Sequence, residues 1–270
     1  MNDRHREPPP ILDTKDYGAE SVFTPESLLR EARRQKAAAS TPVPAVCLLD
    51  PDGDIVRQLK NEARAARHEG WVCYHTDLFV FEQDGLTVGI VGCAVGASFA
   101  VLVAEELFAS GCRLLISVTS SGQITPVATP PYFILIDKAL RDEGTSYHYL
   151  PPEAYSTAPS ALLERLAGAF DDAGVPVLQG ATWTTDAPFR ETEQAIAAMR
   201  ERGLLAVEME AAALYAFAQA RRRPVVCFAH VTNQMGRIEG DFEKGDANGS
   251  TDALAIVTRT ARRLLSAPAG

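Results

Sequence analysis

The stretch Ala206-Val207-Glu208-Met209-Glu210-Ala211-Ala212-Ala213-Leu214-Tyr215 decides how this chain is read. A short apolar run, Leu204 to Val207, passes into a helix predicted over Met209 to Arg221, and Pro224 to Val231 follows as an apolar strand. The helix is apolar nearly all round, and the strand is apolar without alternation, so both are expected to be covered on every side. A strand, a buried helix and another strand joined by short turns is the unit of a mainly parallel sheet.

The same alternation runs outward in both directions. Toward the N-terminus, strands are expected at Ala45 to Leu49, Trp71 to Phe81, Leu86 to Val91, Leu114 to Val118, Tyr132 to Leu140 and Val177 to Thr185. Helices are expected at Ile55 to Arg67, Ser98 to Ser110, residues 160 to 173 and Glu191 to Arg202, with Thr251 to Leu265 closing the chain. Residues 1 to 44 read as an irregular, polar N-terminal extension with one helix candidate, Pro25 to Ala39. The expectation is one α/β domain over 45 to 270: a central mixed, mainly parallel sheet flanked by helices on both faces.

The 270 residues are 46% hydrophobic and 23% charged, which suits a globular core and excludes a disordered acidic chain. A net charge of −9 argues against nucleic acid or an anionic membrane surface as the main partner. No apolar window approaches the roughly eighteen residues needed to span a membrane. Met1 to Pro10 lack the apolar core of a signal peptide. Cys47, Cys73, Cys93, Cys112 and Cys227 have no close pairing and read as reduced, buried thiols, so the expected location is cytoplasmic. No His, Cys or carboxylate spacing resembles a ligand set, so no metal is expected.

In open α/β sheets ligands gather at the carboxyl ends of the strands. Four loops there carry chemistry. In Asp50-Pro51-Asp52-Gly53-Asp54-Ile55-Val56-Arg57, a glycine turn opening a helix can present backbone N–H groups to an anion, with Arg57 one turn on. An ordinary turn with a solvated arginine is the simpler alternative. Thr119-Ser120-Ser121-Gly122 offers hydroxyls to an oxyanion or a sugar, or is a polar turn. In Thr184 to Glu191, Asp186 suits a helix cap, while Phe189 and Arg190 could face a planar ring. In the fourth loop, Glu208 at the helix start suits the macrodipole, whereas Glu210 lies inside the apolar stretch, where a carboxylate needs a partner or a task.

Val207-Glu208-Met209-Glu210-Ala211 at a strand-to-helix junction resembles the signature of the nucleoside phosphorylase-I superfamily, and the order of elements agrees from about Val46 to Leu265. The resemblance implies N-glycosidic cleavage of a ribonucleoside by phosphate, giving free base and ribose 1-phosphate with no organic cofactor. It also implies a homo-oligomer, from dimer to hexamer. Gly53 and Arg57 then match a phosphate-binding Gly-Asp-x-x-Arg turn, and Ser120 matches a phosphate-contacting Ser or Thr. Glu210 matches the carboxylate that grips the ribose hydroxyls, with Met209 against the sugar. Phe189 and Arg190 fall in a base-pocket segment, His148 in a plausible pocket rim between Arg141 and Tyr149, and Glu208 joins this substrate-facing set. Asn233 stands where purine-cleaving members often have Asp. It can donate a hydrogen bond to the leaving base but cannot protonate it, which favours uracil or a 6-oxopurine.

The chain departs from the family pattern in the phosphate half. Ser117 stands where an arginine is expected and Thr119 where a glycine is expected, and Gly92 to Ser98 replaces a more glycine-rich loop. The arginine that a neighbouring subunit would supply before the Asp84-Gly85 turn is not apparent; Cys73-Tyr74-His75 stand near that place. Hydrolysis by water, with Asp52, Asp54, His75 or His148 assisting, is the alternative, and a non-catalytic nucleoside-binding protein is the third. Gln234 to Ser250, with four glycines, reads as a mobile lid or a surface excursion.

Overall fold

The computed structural model describes residues 9–235 and 239–266. Gly236 of the loop after Val231, the first eight residues of the N-terminal extension and the last four of the chain lie outside that range.

The strands are β1 (Val46–Asp50), β2 (Ala65–Arg67), β3 (Phe79–Gln83), β4 (Leu86–Gly92), β5 (Leu114–Gln123), β6 (Tyr132–Asp142), β7 (Tyr155–Thr157), β8 (Val177–Thr185), β9 (Ala206–Glu208) and β10 (Val225–Asn233). The α-helices are α1 (Pro25–Lys36), α2 (Asp54–Asn61), α3 (Ala97–Ala109), α4 (Ser160–Leu166), α5 (Glu193–Glu201), α6 (Ala211–Arg221) and α7 (Ser250–Leu265). All the strands join one mixed sheet in the order β10-β6-β8-β9-β5-β1-β4-β3-β2, with β7 beside β6. The long pairings β5–β10 and β6–β8 are parallel, as are β1–β4 and β1–β5. Because β5 also pairs with β10, the strands β10, β6, β8, β9 and β5 form a closed ring.

Burial explains why the strands are apolar throughout. On one face Cys47, Leu49, Val91, Leu115 and Cys227 pack with α3 and α6. On the other, Val46, Leu48, Ile90, Ile116 and Val226 pack with α2 and α7. Alternate residues of each strand thus enter opposite layers, and neither face is left to water. The N-terminal extension contributes α1, which buries Leu29 and Ala32 with Val72. Among the described residues no helix is long and apolar enough to cross a membrane.

Several sequence expectations are corrected. The helix expected over Ile55 to Arg67 stops at Asn61. Ala63 takes a left-handed φ of 55°, Arg64 N–H donates to the Leu59 carbonyl, and Ala65–Arg67 becomes β2 beside β3. Trp71 to Leu78 is not strand. There Lys36 Nζ donates to the Val72 and Cys73 carbonyls and Trp71 Nε1 to the Thr76 carbonyl, so side chains replace a ladder. The helix expected over 160 to 173 ends at Leu166, ahead of Gly168 at φ 70°. Thr119-Ser120-Ser121-Gly122 is no turn but part of β5, paired to β10 along its length. Cys93 is exposed, unlike the other four cysteines.

Candidate active site

The two glutamates at the head of α6 occupy different environments two residues apart. Glu208 is the last residue of β9 and is buried. Its Oε1 accepts from the hydroxyls of Thr182 (3.1 Å) and Thr184 (2.5 Å) on β8. Its Oε2 accepts from the backbone N–H groups of Glu210 and Ala211, both at 2.7 Å. These are the free donors at the start of α6, so Glu208 caps the helix with a side chain reaching forward from the strand. Both its oxygens are thereby engaged within the fold.

Glu210 occupies the cap position of α6 with φ −131°, one residue before the helix proper. Only 1% of it is exposed. Its Oε1 accepts from Gly96 N–H at 2.7 Å, at the N-terminus of α3. Gly96 has φ 89° and ψ 151°, a conformation essentially confined to glycine, and this turns its N–H toward Glu210. Oε2 of Glu210 has no hydrogen-bond partner. Burial, then the Glu208 charge, raises the Glu210 carboxyl to about 8, while the Gly96 N–H and the Thr119 hydroxyl oppose that rise. A buried carboxyl with one bonded and one unpaired oxygen is fitted to receive hydroxyl donors from a ligand.

The second group of residues forms because β5 outruns β1. Their pairing is registered to Leu49 and Ser117, and β1 ends at Asp50. Beyond that point the edge of β5 needs another acceptor. Asp52 supplies it: Oδ2 accepts from Ser120 N–H at 3.0 Å and Oδ1 from the Ser120 hydroxyl at 2.9 Å. Gly53, at φ 74°, is the cap residue of α2 and permits this turn. The Arg57 guanidinium points outward, bonding Asp54 Oδ1 at 2.6 Å and the Asp52 carbonyl at 2.8 Å. Its Nη1 lies 3.9 Å from Cys93 Sγ. Lys244 reaches in from the loop after β10 to Asp54 Oδ2 (2.5 Å) and Asp52 Oδ2 (3.6 Å). Asp50, Asp52, Asp54, Ser120, His230 and Lys244 line one small cavity. Burial raises the Asp50 carboxyl to about 7 despite its bond from Val56 N–H. Burial lowers the His230 imidazole to about 4, so it stays neutral, stacked on Phe133 at 4.3 Å.

Asn233 ends β10 beside the same strand. Its Nδ2 donates to Thr232 Oγ1 (3.1 Å) and to the Ser121 carbonyl (3.4 Å), and its Oδ1 accepts from Met235 N–H (2.9 Å). Met235 lies over Gly122, where any side chain would collide with its sulfur. Met235 also lines an outer cavity with Pro188, Phe189 and Glu191, so Phe189, 99% exposed, stands at the rim. Arg190 is exposed on the same short 3-10 turn, and Met209 is half-buried at the head of α6. His148 stands apart. It contacts Lys15 at 3.0 Å and lines a separate cleft with Phe23, Leu102 and Tyr149. Asp186 accepts from Gly144 N–H rather than capping a helix, and Thr192 caps α5.

Strand alternation thus gives β5 two roles. Thr119 faces Glu210 and Ser120 faces Asp52, so one strand joins the two groups. The sequence named Gly96 and Thr184 only as members of loops, without these roles, and did not single out Thr182 or Lys244. Only the positive φ of Gly96 had a local signal, a glycine before a predicted helix.

A family model described as the phosphorylase superfamily matches residues 26–266. Guanosine phosphorylase of Halorubrum lacusprofundi is 26% identical over 167 residues, 62% of this chain, and the match spans 66% of that relative's length. Uridine phosphorylase of Thermococcus kodakarensis is 29% identical over 220 residues, 75% of this chain and 77% of the relative. A crystal structure of uridine phosphorylase from Vibrio fischeri superposes with a TM-score of 0.70 at 19% identity, covering 87% of this chain and 99% of that one, and so shares the fold. With the family model spanning every strand of the sheet and all of its flanking helices, this chain belongs to the phosphorylase superfamily.

Proposed function

We propose that this protein cleaves the N-glycosidic bond of a uridine-like or 6-oxopurine ribonucleoside, with phosphate as nucleophile. The products are the free base and ribose 1-phosphate. The observation that carries the reading is the unpaired, buried Oε2 of Glu210, whose carboxyl meets the hydroxyl of Thr119, the β5 residue before Ser120. Ribose hydroxyls donating to Glu210 place the sugar there. As the glycosidic bond breaks, positive charge grows on the sugar, and the carboxylate stabilises it most when ionised. Phosphate attacks the anomeric carbon from the side of Ser120, Gly53 and Arg57. The bonding electrons leave with the base, whose oxo group or ring nitrogen accepts a hydrogen bond from Asn233 Nδ2 in place of its long 3.4 Å bond to the Ser121 carbonyl. Family membership and the names of its relatives support this reading, and no cofactor enters the scheme. Assembly as a homo-oligomer and a cytoplasmic location belong to the same proposal.

A second reading, hydrolysis, has its own observation: the Asp52 carboxylate sits on the Ser120 donors, and Ser117 stands where the family resemblance implies an arginine. Water would then attack, with Asp52 taking its proton. Chromatography of uridine, inosine and adenosine reactions with and without phosphate decides between them. Base release that requires phosphate, with an Arg57→Ala variant needing several-fold more of it, supports phosphorolysis. Equal turnover in phosphate-free buffer, with free ribose as product, replaces it with hydrolysis.

A further inference from the structure

Asp52 makes the contacts that an oxyanion would make. Its two oxygens take the Ser120 N–H and hydroxyl at 3.0 and 2.9 Å, and Lys244 Nζ is 3.6 Å from the same Oδ2 that holds the N–H. A backbone donor, a hydroxyl and an ammonium converging on one carboxylate form an anion cradle, and the chain fills it with its own side chain. Asp52 keeps about a third of its side chain exposed (32%) and hangs from a turn rather than from the sheet, so it can leave without opening the core. Lys244 and Arg57 are meanwhile both tied to Asp54.

We propose that Asp52 is an internal competitor of phosphate. It occupies the Ser120 cradle as a tethered anion, and an incoming phosphate must displace it, taking over the Ser120 donors and the Lys244 charge. Asp52 therefore sets how much phosphate the protein needs, and Lys244 is the cation passed from one anion to the other. This inference rests on the phosphorolysis reading for its biological meaning, but its physical content is phosphate affinity.

The test is isothermal titration of inorganic phosphate into the full chain as wild type, Asp52→Ala and Asp52→Asn, with melting curves to verify folding. Alanine vacates the cradle. Asparagine keeps it filled, its carbonyl accepting from Ser120 N–H and its amide donating to the Ser120 hydroxyl. The expected result is phosphate binding at least tenfold tighter in Asp52→Ala, a clearly smaller gain in Asp52→Asn, and loss of most of the gain when Ser120→Ala is added. Equal gains in the two single variants would mean that only the general charge of the turn matters, and would overturn the proposal. So would no gain in Asp52→Ala. If the alanine variant does not fold, Asp52→Ser, too short to span both Ser120 donors, is judged by the same criteria. Base release without phosphate in the wild type would defeat the phosphorolysis reading alone, because the titration reads displacement whatever the nucleophile.

Discussion

Glu208 and Glu210, at the head of α6, and Asp52 and Asp54, at the head of α2, place two pairs of carboxylates at the same end of the sheet. The glutamates are buried and take their bonds mainly from backbone N–H groups and threonines of neighbouring strands. The aspartates are partly exposed, and their charged partners are the long side chains of Arg57 and Lys244. Carboxylates buried at the end of a sheet strand cannot move unless the sheet opens, which suits groups that must meet a sugar in one geometry. Asp52, though it too accepts a backbone N–H, hangs from a partly exposed turn. Carboxylates held by Lys and Arg can exchange partners at little cost, because such partly exposed ion pairs contribute only about 0–1 kcal/mol. One half of the site is preorganised and the other is exchangeable.

The strongest way to break this contrast is to remove Glu210. Glu210→Ala is expected to lower kcat/KM for the cleaved nucleoside by at least about 10²–10³-fold, the usual loss for a group that stabilises transition-state charge. Activity within tenfold of wild type would mean that Glu210 does not face the sugar.

Stability tests the other side of the argument. Glu208→Ala leaves two backbone N–H groups and two buried hydroxyls without their acceptor, and roughly 2–4 kcal/mol should be lost in urea unfolding. Asp54→Asn, in the exchangeable half, should cost less than about 1 kcal/mol. If the two losses were alike, the distinction between the halves would not hold.

A smaller effect concerns pH. The Glu210 carboxyl is held at about 8 in the folded chain against its usual 4.5. Between those values the folded state binds more protons than the unfolded state, so this group's contribution to stability falls as pH rises. Glu210→Gln removes that slope. The melting temperature of wild type relative to Glu210→Gln should therefore drop between pH 5 and pH 8.5, and parallel curves would count against a neutral Glu210 in the unliganded protein.

The legible parts of this site were those encoded locally. A carboxylate inside an apolar helix start marks Glu210, and hydroxyls at the end of an apolar strand mark Ser120. The α/β alternation was readable because strands covered on both faces are apolar throughout and the helices between them are long. Ala65–Arg67 was not readable as strand, because its composition favours helix and only pairing with β3 overrides that. Thr119 to Gly122 resembled a turn, because small polar residues signal loops unless a partner strand such as β10 satisfies their backbone. His148 looked like part of the pocket on sequence grounds, yet it lines another cleft.

The sequence by itself determined the layered α/β architecture and the position of Glu210, since both follow from patterns within ten or fifteen residues. Tertiary structure alone decided which oxygens are free. The N–H that holds Glu210 comes from 114 residues away, the donors that hold Asp52 from 68, and the lysine that pairs with Asp54 from 190. Whether a polar atom is satisfied depends on what the fold brings within about 3 Å of it, and no local pattern encodes that distance.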